Sequence, residues 1–477
     1  MSSFRLISNC PFSRLLPVLL LLALPAGSNA LAADVATADG YGLLARLMSG
    51  SDGERHAAAR RLVESGDASL VPGLVDAYFF LPRDQREEAL AVLAALSGEK
   101  AGDRYHDWAA LLARRPDLAA RPGYLAWKAG LLARIDPRYP TLLYEGAPVR
   151  IRLEEVVWGG VPVEGIPALD RPAHVQAAQA GYLTGGELVF GVSLGGETRA
   201  YPLRILDWHE VVNDAVGGEP VTLSYCTLCG SGVLFSTRSA PGEAYTFGTS
   251  GLLYRSNKLM VDRQTGSLWC NLTGEPVIGR LAGVPPPVPR LAVLPVTLTT
   301  WQDWRRRHPE TTVLALDHDM EQRFGFQYQP GAAARKRAGV HFPTGPAGSR
   351  RSAALDPGAE VYALRLGDRA KAYPMTKLLA EGVVNDRLGD EPVVLVADPD
   401  SGAVRAYRRG ERRFARGSGA GELVDGEGRR WTVGEDALLP AATPTAAPLP
   451  RLPGHQAFWA GWTAFFPGAE LYGSPPR

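Results

Sequence analysis

Apolar residues recur three and four apart from about Tyr41 to Ile135. Leu43, Leu44, Leu47 and Met48 share one helical face, and Ala68–Phe80 and Gln85–Leu96 repeat the spacing, with Asp84 placed as an N-cap for the latter. The Gly66–Leu74 run opens like a HEAT-type helical repeat, which predicts a packing or interaction module able to meet a protein partner. His56, His106, Trp108 and Trp127 in this region read as core or surface residues, since no second ligand stands at a supporting spacing.

From about Val149 the period changes. Charged and apolar residues alternate and glycine pairs recur at 159–160, 185–186, 195–196 and 217–218, which are strand and hairpin signals. Glu187–Ser193 and Thr198–Leu203 read as two strands around a Gly-Gly turn. The same pattern then returns. Val189–Phe235 aligns without gaps on Val361–Tyr407, with 17 of 47 positions identical by direct count. Ala200-Tyr201-Pro202 matches Ala372-Tyr373-Pro374, Val211-Val212-Asn213-Asp214 matches Val383-Val384-Asn385-Asp386, and Gly230 matches Gly402. Downstream, Asp262–Trp269 echoes Asp425–Trp431, and Trp304 echoes Trp462.

These patterns predict an α+β chain: an N-terminal helical, HEAT-like module followed by a duplicated, pseudo-symmetric β-rich domain. The expected divisions are a signal peptide over 1–32, the helical module over 33–148, a first β-rich repeat over 149–316, an irregular crossover over 317–357 and a second repeat over 358–477. The Arg335-Lys336-Arg337 cluster in the crossover reads as a solvated loop.

Residues kept in both repeats are most simply architectural. Asn213 and Asp214, which fit a helix end leading into a strand, therefore read as structural. Residues present in one repeat only are the candidates for chemistry. His209 faces Glu381, Cys226 faces Asp398 and Cys229 faces Ser401, so three possible ligands vanish together while the glycine after them stays.

Composition narrows the options. With 51 basic and 50 acidic residues the net charge is +1, which gives no electrostatic case for nucleic acid. Arg5 and Arg14 flank a short apolar core, Leu15–Leu24, followed by Ala30-Leu31-Ala32, so cleavage near Ala33 and a periplasmic or other extracytoplasmic location are expected, with no membrane span in the mature chain. Four cysteines occur, and Cys10 leaves with that segment. The three remaining, Cys226, Cys229 and Cys270, are an odd number, which argues against a disulfide framework.

Cys226-Thr227-Leu228-Cys229-Gly230 lies between two strand-like runs and admits three readings. As a metal knuckle, two thiolates and His209 hold a single zinc or copper ion, Asp207 or Glu210 orients the imidazole from behind, and Met260 or Cys270 is the fourth ligand, neither anchored by spacing. As a dithiol, the pair exchanges disulfides, though no helix follows Cys229 to lower a thiol pKa by its dipole. As a structural pair, it leaves the joint loss of His209 unexplained. A further class is a non-enzymatic module that binds a glycan, peptide or protein through Tyr201, Trp208, Tyr254 and Trp269. The sequence contains no nucleophile elbow, phosphate loop or nucleotide fingerprint, and turnover is not claimed.

Arg199–Asp214, Ser224–Phe235, Thr246–Trp269 and His455–Pro467 resemble an exported family, domain of unknown function 3179, over roughly the last two-thirds of the chain. The resemblance implies an extracytoplasmic location and a recurring core of His209 with the Cys-x-x-Cys pair, and it implies no activity. The family usually has proline where this chain has Thr227, and commonly serine where it has Cys270.

Overall fold

The computed structural model describes residues 40–240, 243–285, 289–325, 327–329, 354–441 and 446–474. The expected signal peptide and the Arg335-Lys336-Arg337 cluster lie outside the described residues. The architecture is α+β, helices first and a β-rich region after. No helix among the described residues is long and apolar enough to cross a membrane.

The helical part comprises α1 (Gly40–Ser49), α2 (Asp52–Ser65), α3 (Val71–Phe80), α4 (Arg86–Ser97), α5 (Tyr105–Arg114), α6 (Tyr124–Leu132) and the single turn α7 (Tyr139–Leu142). The apolar faces of α1–α6 meet in one core that includes Leu44, Leu62, Leu74, Leu93 and Trp108, while Tyr139 and Leu142 of α7 pack in a core with the β-rich region. Ser51 and Glu54 cap α2 reciprocally, the Ser51 amide donating to the Glu54 carboxylate at 2.8 Å, and Gly66 at φ 59° ends it. Asp84 does not cap α4. It lies inside a 3-10 turn, Arg83–Gln85, that tightens the entry and moves the helix start to Arg86, with Gln85 at the cap position. His56 and His106 are exposed, and Trp127 donates its Nε1–H to Gly73 O at 2.9 Å.

The β-rich region runs through one order of elements twice. In its first half Leu188–Leu194 and Glu197–Pro202 form a hairpin, flanked by Thr297–Thr300 and by the parallel strand Thr312–Leu314. In the second, Glu360–Leu366 and Arg369–Pro374 form the hairpin, flanked by Gly454–Phe458 and the parallel strand Glu470–Leu471. Each hairpin feeds a short helix, α8 (Leu203–His209) or α11 (Met375–Glu381); between them in sequence lie α9 (Trp301–Arg307) and α10 (His318–Phe324), and α12 (Trp459–Phe465) follows.

Several residues kept in both halves make matching bonds. Asn213 and Asp214 lie within a strand, Val211–Val216, and not at a helix end. Asn213 acts as an extra rung: its Nδ2 donates to Phe247 O at 2.8 Å and its Oδ1 accepts from Phe247 N at 3.0 Å. Asn385 does the same to Phe414, at 2.7 Å each way. Asp214 accepts from Tyr201 Oη at 2.8 Å and Arg199 at 2.7 Å, and Asp386 pairs with Lys371 at 2.7 Å. Trp269 and Trp431 donate to Asp262 and Asp425 at 2.8 and 3.1 Å. A polar side chain that completes a sheet edge is held by its geometry, and this accounts for its retention without a catalytic task.

The halves are joined by a buried charge network. Glu435, 9% exposed, accepts from Arg405 Nε at 2.8 Å, Arg451 Nη1 at 2.5 Å and Thr297 Oγ1 at 2.7 Å. Arg451 also reaches Val296 O and Thr297 Oγ1 in the first half, at 3.2 and 2.8 Å. Burial pushes the Glu435 carboxyl up, and the Arg405 and Arg451 guanidiniums outweigh it, holding the group well below the usual carboxylate range. Breaking one side of such a pair strands the remaining charges, so Glu435→Ala is expected to lose about 3–5 kcal/mol of stability in urea unfolding. With its folded pKa depressed, the stabilisation from Glu435 is fully present above the unfolded carboxylate value and is lost as pH falls below it through the depressed folded value. Glu435→Gln should therefore flatten the fall in urea midpoint between about pH 6 and about pH 3.

Candidate functional site

The site begins where α8 stops. Glu210 adopts φ 57°, in the left-handed region, and its N–H closes on Leu206 O at 2.8 Å, turning the chain from helix into the strand Val211–Val216. The carbonyl of the same residue accepts from Tyr225 N at 2.8 Å, which aligns the strand Glu219–Cys226 beside it. That strand ends at Cys226, and a tight turn brings Cys229 N to Cys226 O at 3.2 Å. Gly230 follows at φ 57°, where a Cβ would also stand 2.9 Å from the Phe458 ring, so both backbone and space require glycine there.

A second hairpin closes on this turn. Strands Phe247–Tyr254 and Asn257–Asp262 are joined by Arg255 and Ser256 at φ 50° and 63°. Three of the five described non-glycine residues with positive φ, Glu210, Arg255 and Ser256, thus surround one spot. Such conformations cost energy and persist where neighbours hold them. Arg255 is held by the Glu155 carboxylate at 2.5 Å and by Ala464 O, in α12, at 2.7 Å. The result is that Ser256 O lies within hydrogen-bonding reach of both sulfurs, Cys229 Sγ at 3.3 Å and Cys226 Sγ at 3.8 Å. The fully buried Asn257 carboxamide adjoins Cys229.

Both cysteines are free thiols, 2% and 0% exposed, and electrostatically unlike. The Cys229 thiol donates to Cys226 and lowers its pKa, with help from the Lys258 ammonium against burial and Glu210. Giving up that hydrogen bond, together with burial, pushes Cys229 well up. Of the two sulfurs, Cys226 is therefore the one that ionises first. Lys258 is itself 4% exposed; its Nζ donates to Glu210 O at 2.5 Å and Tyr225 O at 2.7 Å and lies 3.7 Å from the Glu210 carboxylate. Burial lowers its pKa.

The residues expected around the pair are placed differently. His209 ends α8 fully buried, with Nδ1 2.8 Å from Pro167 O and Nε2 2.5 Å from Tyr328 Oη. The carbonyl can only accept, so Nδ1 carries the proton and Nε2 accepts from the tyrosine; both nitrogens are used away from the sulfurs. Glu210 faces Lys258 and Thr227 and does not orient the imidazole, with Thr227 Oγ1 at 3.5 Å. Asp207 is buried on α8. Met260 pairs across the sheet with Trp269 and packs in a core that contains Cys270, Phe247 and Trp269 but neither Cys226 nor Cys229. Among the described residues no three His, Cys, Asp or Glu side chains come together closely enough to hold one metal ion. Of the aromatics, Tyr201, Tyr254 and Trp269 are buried and Trp208 is half-buried.

In the second half the equivalent turn is closed by its own side chains, Ser401 Oγ donating to Asp398 at 2.8 Å and Asp400 N at 3.1 Å. A cation remains there too, for Arg416 donates to Ala397 O at 3.3 Å as Lys258 donates to Tyr225 O. The cation on that carbonyl is thus common ground, and the thiols are the difference. Lys258, Ser256 and the cover from α12 were not marked by any spacing; Lys258 reads as an ordinary charged strand residue.

The site is thus a buried, asymmetric dithiol in a β-rich chain. The chain belongs to the family described as protein of unknown function (DUF3179), whose profile matches residues 163–469. No curated protein and no solved structure matches it.

Cys229→Ala removes the largest influence lowering Cys226, so the Cys226 titration, followed by thiolate ultraviolet absorbance, should move to higher pH; Lys258→Met should move it the same way by less. Gly461 in α12 touches the pair, a Cβ there standing 3.0 Å from Cys229 Sγ. Gly461→Ala is expected to cost about 1–3 kcal/mol in denaturant unfolding through overpacking.

Proposed function

We propose that Cys226 and Cys229 are a redox-active dithiol that exchanges with disulfides outside the cytoplasm. The observation that carries this reading is the pairing of two buried free thiols across one turn, both within reach of the Ser256 carbonyl, with Cys226 held below and Cys229 above the ordinary thiol range. Cys226 is the nucleophile. Its thiolate attacks one sulfur of a substrate disulfide, that bond breaks, and the leaving thiolate takes a proton. Cys229 then loses its proton and attacks Cys226 Sγ, breaking the mixed disulfide and releasing the second thiol. Two electrons pass to the substrate, one of its two new thiol protons comes from Cys229 and the other from solvent, and the pair ends as a disulfide. Thr227 and Leu228, half-buried on the turn, are the route by which a substrate reaches Cys226.

The dithiol is favoured over a zinc or copper centre because His209 and Met260 are engaged elsewhere, leaving an ion two thiolates and a carbonyl. In this reading the β-rich halves are a duplicated, pseudo-symmetric unit of which one copy kept the chemistry. The HEAT-like helical module supplies a surface for a protein partner, and residues 1–32 direct export.

Equilibration of the full chain in glutathione buffers of graded potential, read by thiol alkylation and mass, tests this. A reversible two-electron couple at Cys226 and Cys229, abolished in Cys226→Ser, is expected. Thiols that stay reduced across the range, or one tightly bound metal per chain lost in Cys226→Ser, would sink it.

A further inference from the structure

A cavity of about 190 Å³ opens on the seam between the two halves, away from the substrate route over Thr227 and Leu228. Its walls include Leu272, Leu291 and Val293 from the first half and Ala363 from the second, together with polar groups from Arg290, Arg365, His455 and Trp462. His455 and Trp462 line it, 9% and 1% exposed, their rings edge to face at 5.8 Å. Among the described residues neither His455 Nε2 nor Trp462 Nε1 has a hydrogen-bond partner, although both atoms are buried. An indole N–H can only donate, and the interior of a protein seldom leaves such a donor unmet. Arg365 stands at the same cavity; its Nε donates to Gly367 O at 3.1 Å, and no carboxylate among the described residues pairs with it. Arg290, also lining it, is held by Glu275 at 2.7 Å.

From this arrangement we infer that the seam cavity is a binding site for a small organic carboxylate with a short aliphatic tail. The carboxylate lies between the Arg365 guanidinium and the Trp462 indole N–H, and the His455 imidazole, neutral because burial lowers its pKa to about 4, donates from Nε2. The tail lies along Leu272, Leu291 and Val293. The volume limits the ligand to a few carbon atoms, and the apolar walls disfavour bare inorganic anions, which gain nothing from them. The site is independent of the dithiol chemistry, although Trp462 follows Gly461, the residue in contact with Cys229.

Equilibrium dialysis of the full-length protein against radiolabelled butyrate, with chloride holding the ionic strength constant, tests the site. One saturable site per chain is expected, weakened roughly tenfold or more in Arg365→Gln, which loses the charge, and several-fold in Trp462→Phe, which keeps an aromatic ring and loses the N–H donor. Cys226→Ser should bind butyrate as the wild type does, which separates this site from the dithiol. No saturable binding, or binding that both cavity variants retain in full, would overturn the inference.

Discussion

The carboxylate of Glu435 is the charge on which the arrangement of the β-rich region turns. It belongs to the second half, yet one of its acceptor positions is filled by Thr297 of the first, and Arg451 reaches across to Val296 and Thr297 as well. An ion removed from water in this way tolerates little displacement, because every partner is needed to offset the lost hydration. It therefore sets the register of one half against the other. With that register set, Phe458 N meets Cys229 O at 2.7 Å and α12 lies against the thiol pair.

The scaffold was legible wherever a residue works through its local chain. The repeat of Tyr, Pro, Asn, Asp and Trp pointed to architecture, and Asn213 with Asn385 and Trp269 with Trp431 make matching bonds in both halves. Even there the local setting of Asn213 was misread, since a strand residue that bonds sideways has no period of its own. The cysteine pair stood out because thiols are scarce and absent from the other copy. His209 was less legible. The direction of a residue at a helix end depends on the left-handed reversal at Glu210, and a glutamate gives no notice that it will adopt it. Met260 depends likewise on strand register, which turns it toward Trp269. Lys258 and Ser256 reach the site through a hairpin some thirty residues downstream, a distance over which spacing carries no information.

Strain and electrostatics act together at the pair. Glu210, Arg255 and Ser256 hold left-handed conformations without the freedom of glycine, and Arg255 is kept there by Glu155 on one side and Ala464 on the other. This places a carbonyl between two sulfurs and an ammonium beside them, in an interior that strengthens each interaction. The second half has the same turn with Asp398 and Ser401 and satisfies it locally. A backbone alone therefore does not call for thiols.

Gly461 gives the half without cysteines a share in the site. In α9 the matching helix position is Asp303, which pairs with Arg306 and Arg307 at the other turn. In α12 it is a glycine, and only a missing side chain leaves room for Cys229 Sγ. The half without thiols is consequently not a spare. It is the roof of the half that holds them, and a chain cut between the halves would expose a pair of sulfurs that the intact protein keeps buried.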